Sequence, residues 1–107
     1  MTVDALLDLL DAKVLCGKTD KPFLGVYTGD LLSRAMSRVE LDGIWVTIMS
    51  NVNVVAVATL TEPAAIVLAE DVVLQDDALT AAVDNGITVL SSPLSAYDIC
   101  VAIEHYC

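Results

Sequence analysis

Two short and almost uninterrupted apolar segments constrain the fold of this chain more than any other feature of its sequence. Residues 64–68 read Ala-Ala-Ile-Val-Leu, and residues 87–90 read Ile-Thr-Val-Leu. Strands without alternation of polar and apolar side chains are typical of the centre of a parallel sheet, where helices cover both faces. We therefore expect an α/β fold with a mostly parallel central sheet of about five strands and helices on both faces.

The remaining strands are expected where short apolar segments alternate with helical ones, as in other α/β folds. They comprise residues 13–16, 23–27 and 44–49, and the last of these contains the single tryptophan, Trp45. The central strands of this sheet are therefore predicted to be the most apolar part of the chain.

Apolar side chains at helical spacing predict the first two helices. In the first, Val3 and the leucines that follow it form one stripe, and Thr2 can cap the helix. The second is expected to open at Thr28-Gly29-Asp30 and to pair Asp30 with Arg34, one turn later. Its predicted buried face consists of Leu31, Leu32, Ala35, Met36 and Val39.

Residues 53–61 have two interpretations. Their β-branched side chains favour a strand by propensity. A strand here would, however, lead almost directly into the next one at residue 64, so a helix preserves the alternation better. Helix is the topological prediction.

Capping residues indicate the last two helices. One is expected to begin at Asp76 or Asp77, to bury Leu79, Ala82 and Val83, and to end at Gly86. The final helix can begin at Ser92-Pro93 or, with a capping box, at Ser95. Its predicted buried stripe consists of Ala96, Ile99, Cys100, Ile103 and Cys107.

Charge is distributed unevenly along the chain. Fifteen acidic and five basic residues give a net charge of −10, and all five basic residues lie within the first 38 positions. Such a balance argues against binding to nucleic acid, whose phosphates attract Lys and Arg. An anionic ligand is expected to approach the first region of the chain. The alternative is that the acidic surface serves only to keep the protein in solution.

The high apolar content of the chain raises two questions, whether it spans a membrane and whether it self-associates. Hydrophobic residues make up 56% of the chain, yet the longest strictly apolar run, residues 64–69, is far too short to span a membrane. Acidic residues within the N-terminal apolar pattern also argue against a signal peptide, and we expect a cytoplasmic protein. A domain of about 100 residues buries only about two-thirds of its unfolded surface, so a homodimer is the expected way to cover the rest.

Few residues are suited to catalysis or to metal binding. The three cysteines, Cys16, Cys100 and Cys107, form no Cys-x-x-Cys pair, and the single histidine, His105, lies near the end of the sequence. A zinc site or a disulfide framework is therefore not expected, and neither is a cofactor. We expect Cys16 and Cys100 to be free thiols in the core, and we predict that the protein is not an enzyme.

Polar side chains follow three of the expected strands and are the candidate ligand-binding residues. Open α/β sheets bind ligands beyond the carboxyl ends of their strands, and the N-termini of helices suit anions. The alternative is that these residues only form turns and cap helices. The candidates are Gly25, Thr28, Gly29, Asp30 and Ser33, then Ser50, Asn51 and Asn53, and finally Ser91, Ser92 and Ser95.

Several segments resemble the DRTGG domain family in their order along the chain. They are GVYTGDLLS at residues 25–33, IWVTI at 44–48, NVVAVA at 53–58 and the ending LSS at 90–92 with Ser95. Asp20 stands at the start of the namesake motif, but Lys21 replaces its arginine. The resemblance covers residues 1–107 as a single domain, and it also supports a helix at residues 53–61.

The resemblance implies a compact α/β domain with a regulatory or dimerisation role. Similar domains lie beside CBS domains in inorganic pyrophosphatases, and the fold is similar to the N-terminal domain of HPr kinase/phosphorylase. We therefore expect a non-enzymatic regulatory module that binds a small anionic or nucleotide-like ligand at the edge of the sheet. The alternative is an accessory subunit that binds a redox or signalling protein.

Overall fold

The computed structural model describes residues 1–106, which form one five-stranded sheet between two layers of helices. The strand order is β1-β5-β4-β3-β2, with β1 antiparallel to β5 and every other neighbouring pair parallel. The predicted fold class is thereby confirmed. The strands are β1 (Lys13–Cys16), β2 (Val26–Thr28), β3 (Ile44–Thr47), β4 (Ala65–Leu68) and β5 (Val89–Ser91).

The helices cover both faces of the sheet. Helices α2, α3 and α4 pack on one face, and α1 and α5 pack on the other. We refer to these as the α2–α4 layer and the α1/α5 layer. The helices are α1 (Val3–Leu9), α2 (Leu32–Arg38), α3 (Val52–Thr61), α4 (Asp76–Asp84) and α5 (Ala96–Tyr106).

Successive side chains of the central strands enter opposite cores. In β4, Ile66 and Leu68 pack against the α2–α4 layer, whereas Ala65 and Val67 pack against the α1/α5 layer. All four are fully buried. This two-sided burial is the physical reason for the uninterrupted apolar sequence of β4, because side chains alternate between the faces of a strand.

The segment of residues 53–61, for which the sequence allowed a strand or a helix, forms helix α3. The Asn51 side chain caps it by accepting a hydrogen bond from the Asn53 N–H at 3.0 Å. The hydroxyls of Thr59 and Thr61 donate to carbonyl oxygens four residues earlier, at 2.9 and 3.0 Å. Tertiary burial on the sheet thus overrides the strand propensity of the β-branched residues.

Helix α2 begins later than the sequence pattern predicts. Its first residue is Leu32, and the preceding Leu31 has extended backbone angles. Asp30 therefore lies before the helix, and its carboxylate bonds to β3 rather than pairing with Arg34. The predicted buried face was also wrong at Leu31 and Met36, which are 62% and 51% exposed.

The structure shows which residues cap the last two helices. Gln75 rather than Asp76 or Asp77 occupies the N-cap position of α4. Helix α5 begins after Ser95, whose hydroxyl oxygen accepts a hydrogen bond from the Asp98 N–H at 3.1 Å, so the Ser92-Pro93 start was wrong.

Smaller differences concern strand bounds and individual side chains. Strand β2 begins three residues later than predicted, β5 begins two residues later, and β3 ends two residues earlier. Val83 is exposed rather than buried, and the Thr2 side chain makes no capping hydrogen bond. Ile99 and Ile103 are buried in α5 as predicted, whereas the prediction for Cys107 lies outside the described residues.

Among residues 1–106, none of the helices combines the length and the apolar character needed to cross a bilayer.

Gly17 and Gly86 both have left-handed backbone angles, with φ +90° and +67°, but their surroundings differ. A Cβ at Gly17 would overlap the Cα of Thr88 and lie 2.9 Å from the Ile87 carbonyl oxygen, whereas one at Gly86 would meet nothing within 4 Å. Gly17→Ala is therefore expected to lower the free energy of unfolding by about 3 kcal/mol or more, and Gly86→Ala by about 1–2 kcal/mol. Urea denaturation of both variants measures the difference, and equal losses would contradict the predicted clash.

Candidate functional site

Most of the predicted site residues lie where the parallel strands end, which we call the carboxyl rim. The loops after β2, β3, β4 and β5 leave the sheet at this edge. Open α/β sheets commonly bind ligands there. The contacts within each loop decide which polar groups remain available.

Asp30, a member of the first predicted cluster, bonds to the end of β3. One carboxylate oxygen accepts hydrogen bonds from the Thr47 hydroxyl at 2.6 Å and from the Ile48 N–H at 3.0 Å. The Thr47 hydroxyl oxygen in turn accepts from the Met49 N–H at 3.2 Å. Next to Asp30, the Gly29 carbonyl accepts from the Trp45 indole N–H at 3.0 Å. Asp30 therefore holds the end of β3 and the loop after β2 together.

The second cluster, after β3, is engaged mainly in local structure. Asn51 caps α3 through its side chain, and the Ser50 carbonyl accepts a hydrogen bond from the Gln75 N–H at 3.0 Å. Asn53 lies in the first turn of α3 and is exposed. Of the three predicted side chains, the capping bond accounts for Asn51.

In the third cluster, after β5, Ser95 caps α5, whereas the hydroxyls of Ser91 and Ser92 point into the protein. The Ser91 hydroxyl donates to the Val72 carbonyl and the Ser92 hydroxyl donates to the Leu10 carbonyl, both at 2.7 Å. Ser91 and Ser92 are buried. Their hydroxyl protons are therefore committed to backbone oxygens, where they satisfy buried polar groups.

The loop after β4 makes the rim more acidic. Glu70 and Asp71 both have left-handed backbone angles, with φ near 60°, and their N–H groups donate to the carbonyls of Leu94 and Ser92. Both side chains are exposed. Together with Asp30 they place three carboxylates at a rim whose last three loops contain no Lys or Arg. This charge disfavours an anionic ligand at the rim.

A cavity of about 450 Å³ lies elsewhere, beside the start of the edge strand β2. We call it the edge cavity. Gly25, Arg34 and Arg38 are among the residues that line it. Gly25 thus lies apart from the predicted residues of the carboxyl rim. Ser33 lies on α2 with an exposed side chain and does not line the edge cavity.

The arginines of the edge cavity are absent from the site predicted from the sequence. The sequence places them on the polar side of α2, where a solvated surface is the ordinary explanation. One signal pointed to them: they are the two arginines of a strongly acidic chain and are four residues apart, so they share one face of a helix.

The described cysteines are poor nucleophiles. Cys16 and Cys100 are half-buried rather than in the core, and burial raises the pKa of both thiols. A backbone hydrogen bond near Cys16 and the Thr28 hydroxyl near Cys100 oppose that rise without cancelling it. Since the thiolate is the reactive form, both thiols are mostly in the unreactive form at neutral pH.

A second, open cavity of about 480 Å³ lies on the outer side of α5. Tyr97, Cys100 and His105 line it, and both Tyr97 and His105 are exposed. Within residues 1–106, no three His, Cys, Asp or Glu side chains come together in a group that could hold a metal ion.

A solved structure shares this fold. It is the regulatory region, with CBS and DRTGG domains, of a Clostridium perfringens pyrophosphatase in complex with its activator diadenosine tetraphosphate. The similarity covers 95% of this chain with a TM-score of 0.77 and 15% sequence identity, and this chain spans 45% of the length of the other. No family model and no curated protein match the sequence. The comparison establishes a related fold, while membership of the DRTGG family stays a prediction.

Asp30 provides a test of the contacts at the rim. Asp30→Ala removes the acceptor of two hydrogen bonds and is expected to lower the free energy of unfolding by about 1 kcal/mol. Asp30→Asn retains a side-chain oxygen that can accept both bonds, so its loss should be clearly smaller. Urea denaturation measures both values, and an alanine variant as stable as the wild type would show that the contacts contribute nothing.

Proposed function

We propose that this chain is a non-enzymatic regulatory module of the DRTGG type, which forms a homodimer and binds a small anionic or nucleotide-like ligand. The observation that carries the proposal is the similarity, over 95% of the chain, to a regulatory region that contains a DRTGG domain and binds a dinucleotide activator. The order of the DRTGG-like segments in the sequence is an independent argument for the same family.

The distribution of charge supports binding of an anion at the edge cavity, within the region of the chain that holds the basic residues, rather than at the candidate residues of the carboxyl rim. The carboxyl rim exposes Glu70 and Asp71, and the hydroxyls of Ser91 and Ser92 are bound to backbone oxygens. The edge cavity, in contrast, is lined by Arg34 and Arg38. A negatively charged ligand is attracted to the second region and repelled by the first.

The chemistry of the side chains supports a role without catalysis. A nucleophilic serine needs an adjacent general base, most often an oriented histidine, and His105 is exposed near the end of α5. Burial raises the pKa of Cys16 and Cys100, which keeps these thiols protonated. The polar residues of the rim are engaged in caps and loop contacts rather than arranged around a reacting group.

Exposed apolar side chains support self-association. Leu24, Leu31 and Leu41 are each more than 60% exposed, and Leu60 and Tyr97 are at least 70% exposed. Burial of such residues against a second copy would remove apolar surface from water, which is the main driving force of association. The same surfaces would also suit a redox or signalling partner, and the open cavity on α5 that Tyr97 lines is the feature that favours this second candidate function.

Native mass spectrometry of the freshly purified protein tests assembly and ligand together. A dimer at micromolar concentration is expected, because the exposed apolar residues need cover. A fixed additional mass per subunit would indicate a retained ligand, and a dimer without one would favour the interaction subunit. Reducing conditions exclude a disulfide between chains through Cys107. A strictly monomeric species would contradict the homodimer.

A further inference from the structure

The two arginines of the chain are both exposed and have no protein partner in the described part of the molecule. Arg34 and Arg38 lie on the same side of α2, and no ion pair or side-chain hydrogen bond joins either guanidinium group to another part of residues 1–106. This is unexpected in a chain with fifteen acidic residues. The edge cavity is thus lined by two guanidinium groups that have no protein partner among residues 1–106.

The backbone of β2 supplies further donors beside these cations. Ile44 N–H donates to the Gly25 carbonyl at 3.0 Å, and Gly29 N–H donates to the Val46 carbonyl at 3.1 Å. Since hydrogen bonding alternates along a parallel strand, Val26 N–H and C=O point away from β3, where the sheet ends. The N–H of Val26 is therefore directed outward at the free edge, and this residue lines the edge cavity.

Gly25 leaves the backbone accessible at the same place. Its φ is +72°, and a Cβ added to it would meet no atom within 4 Å. A ligand can therefore approach the main chain closely here, as phosphate groups do in glycine-containing loops. At about 450 Å³ the edge cavity falls within the range of ordinary small-molecule sites.

The residues that line the edge cavity indicate which class of ligand it can bind. Guanidinium groups match the geometry of phosphate oxygens. Glu40, the acidic residue of the lining, can accept hydrogen bonds from hydroxyl groups, as carboxylates do from ribose in nucleotide-binding proteins. Leu24 and the half-buried Tyr27 provide apolar and aromatic surface for a base.

We propose that the edge cavity is a nucleoside-phosphate site, in which Arg34 and Arg38 bind the phosphate and Glu40 binds a ribose hydroxyl. The inference rests on the proposed regulatory function and names the site and the ligand class for it. The edge strand β2, rather than the carboxyl rim, then carries the ligand.

Glycine amides allow the full chain to report where a ligand binds. ADP, GDP, UDP and inorganic phosphate are titrated separately into ¹⁵N-labelled protein, and amide shifts are followed by NMR. A nucleotide is expected to shift Gly25 and Gly43, which line the edge cavity, and to leave Gly86, which does not, in place. Shifts centred on Glu70 and Asp71, in the loop after β4 at the carboxyl rim, would move the ligand to the rim and overturn this inference while retaining the proposed function. No shift with any of the four ligands would overturn the nucleoside-phosphate site. A dimer without a retained ligand in native mass spectrometry would in addition contradict the ligand-binding part of the proposed function.

Paired charge variants separate a specific site from general attraction. Replacement of both Arg34 and Arg38 by Gln is expected to raise the dissociation constant at least about tenfold, because charge-assisted hydrogen bonds to phosphate are lost. The control replaces Lys13 and Lys18 by Gln, which removes the same charge from exposed positions at and just after β1, the opposite edge strand. The affinity of the control should stay close to that of the wild type. Equal losses in both pairs would show non-specific attraction and overturn the site.

Glu40→Gln tests the nucleoside part of the proposal. The variant is expected to bind inorganic phosphate as well as the wild type or better, since a negative charge is removed from the edge cavity. Its preference for a nucleoside diphosphate over inorganic phosphate should fall, because amide groups bind ribose hydroxyls less strongly than carboxylates do. An unchanged preference would show that the site recognises phosphate alone and would overturn the assignment of a nucleoside.

Discussion

The burial of both faces of the central strands is the constraint on which the rest of the structure depends. Residues 65–68 of β4 are fully buried, so each side of this strand needs a layer of helices. Parallel strands also require a crossover between them, and crossovers are right-handed. The strands β2, β3, β4 and β5 follow one another across the sheet in a single direction, so their connecting helices α2, α3 and α4 all lie on one face. The opposite face is left to the helices outside this series, α1 and α5.

The carboxyl rim is closed although the topology places a switch point between β4 and β5. The chain leaves β4 towards the α2–α4 layer and leaves β5 towards the α1/α5 layer, which is the arrangement that opens a ligand crevice in many α/β sheets. Here the two loops bind to each other instead. The N–H groups of Glu70 and Asp71 donate to carbonyls of the loop after β5, and the Ser91 hydroxyl donates to Val72. These N–H and hydroxyl groups join the two loops across the crevice and are therefore not available to a ligand.

Periodicity predicted the elements well, because it reflects which side chains must be buried. The strand β1 and the helical state of residues 53–61 were predicted from the alternation of helices and strands, the latter against the β-propensity of the segment. The buried stripe formed by Ile99 and Ile103 follows from periodicity. The start of α2 did not, because it depends on a contact that is distant in the sequence. Asp30 could either cap a helix or bind β3, and only the position of Thr47 in the folded chain decides between them. The serines after β5 were correctly predicted to lie near the carboxyl rim. The sequence alone does not show whether a serine hydroxyl points outward or into the protein.

The free edge of β2 and the two arginines that have no protein partner among residues 1–106 lie beside the same cavity. A free strand edge invites pairing with another strand, and charged side chains near it oppose such pairing. Arg34 and Arg38 line a cavity beside the start of β2, where they would repel a second copy of themselves. They attract a phosphate, whose negative charge compensates theirs and whose oxygens can also accept a hydrogen bond from the outward N–H of Val26. The same two positive charges therefore oppose strand addition at this edge and attract a small anion.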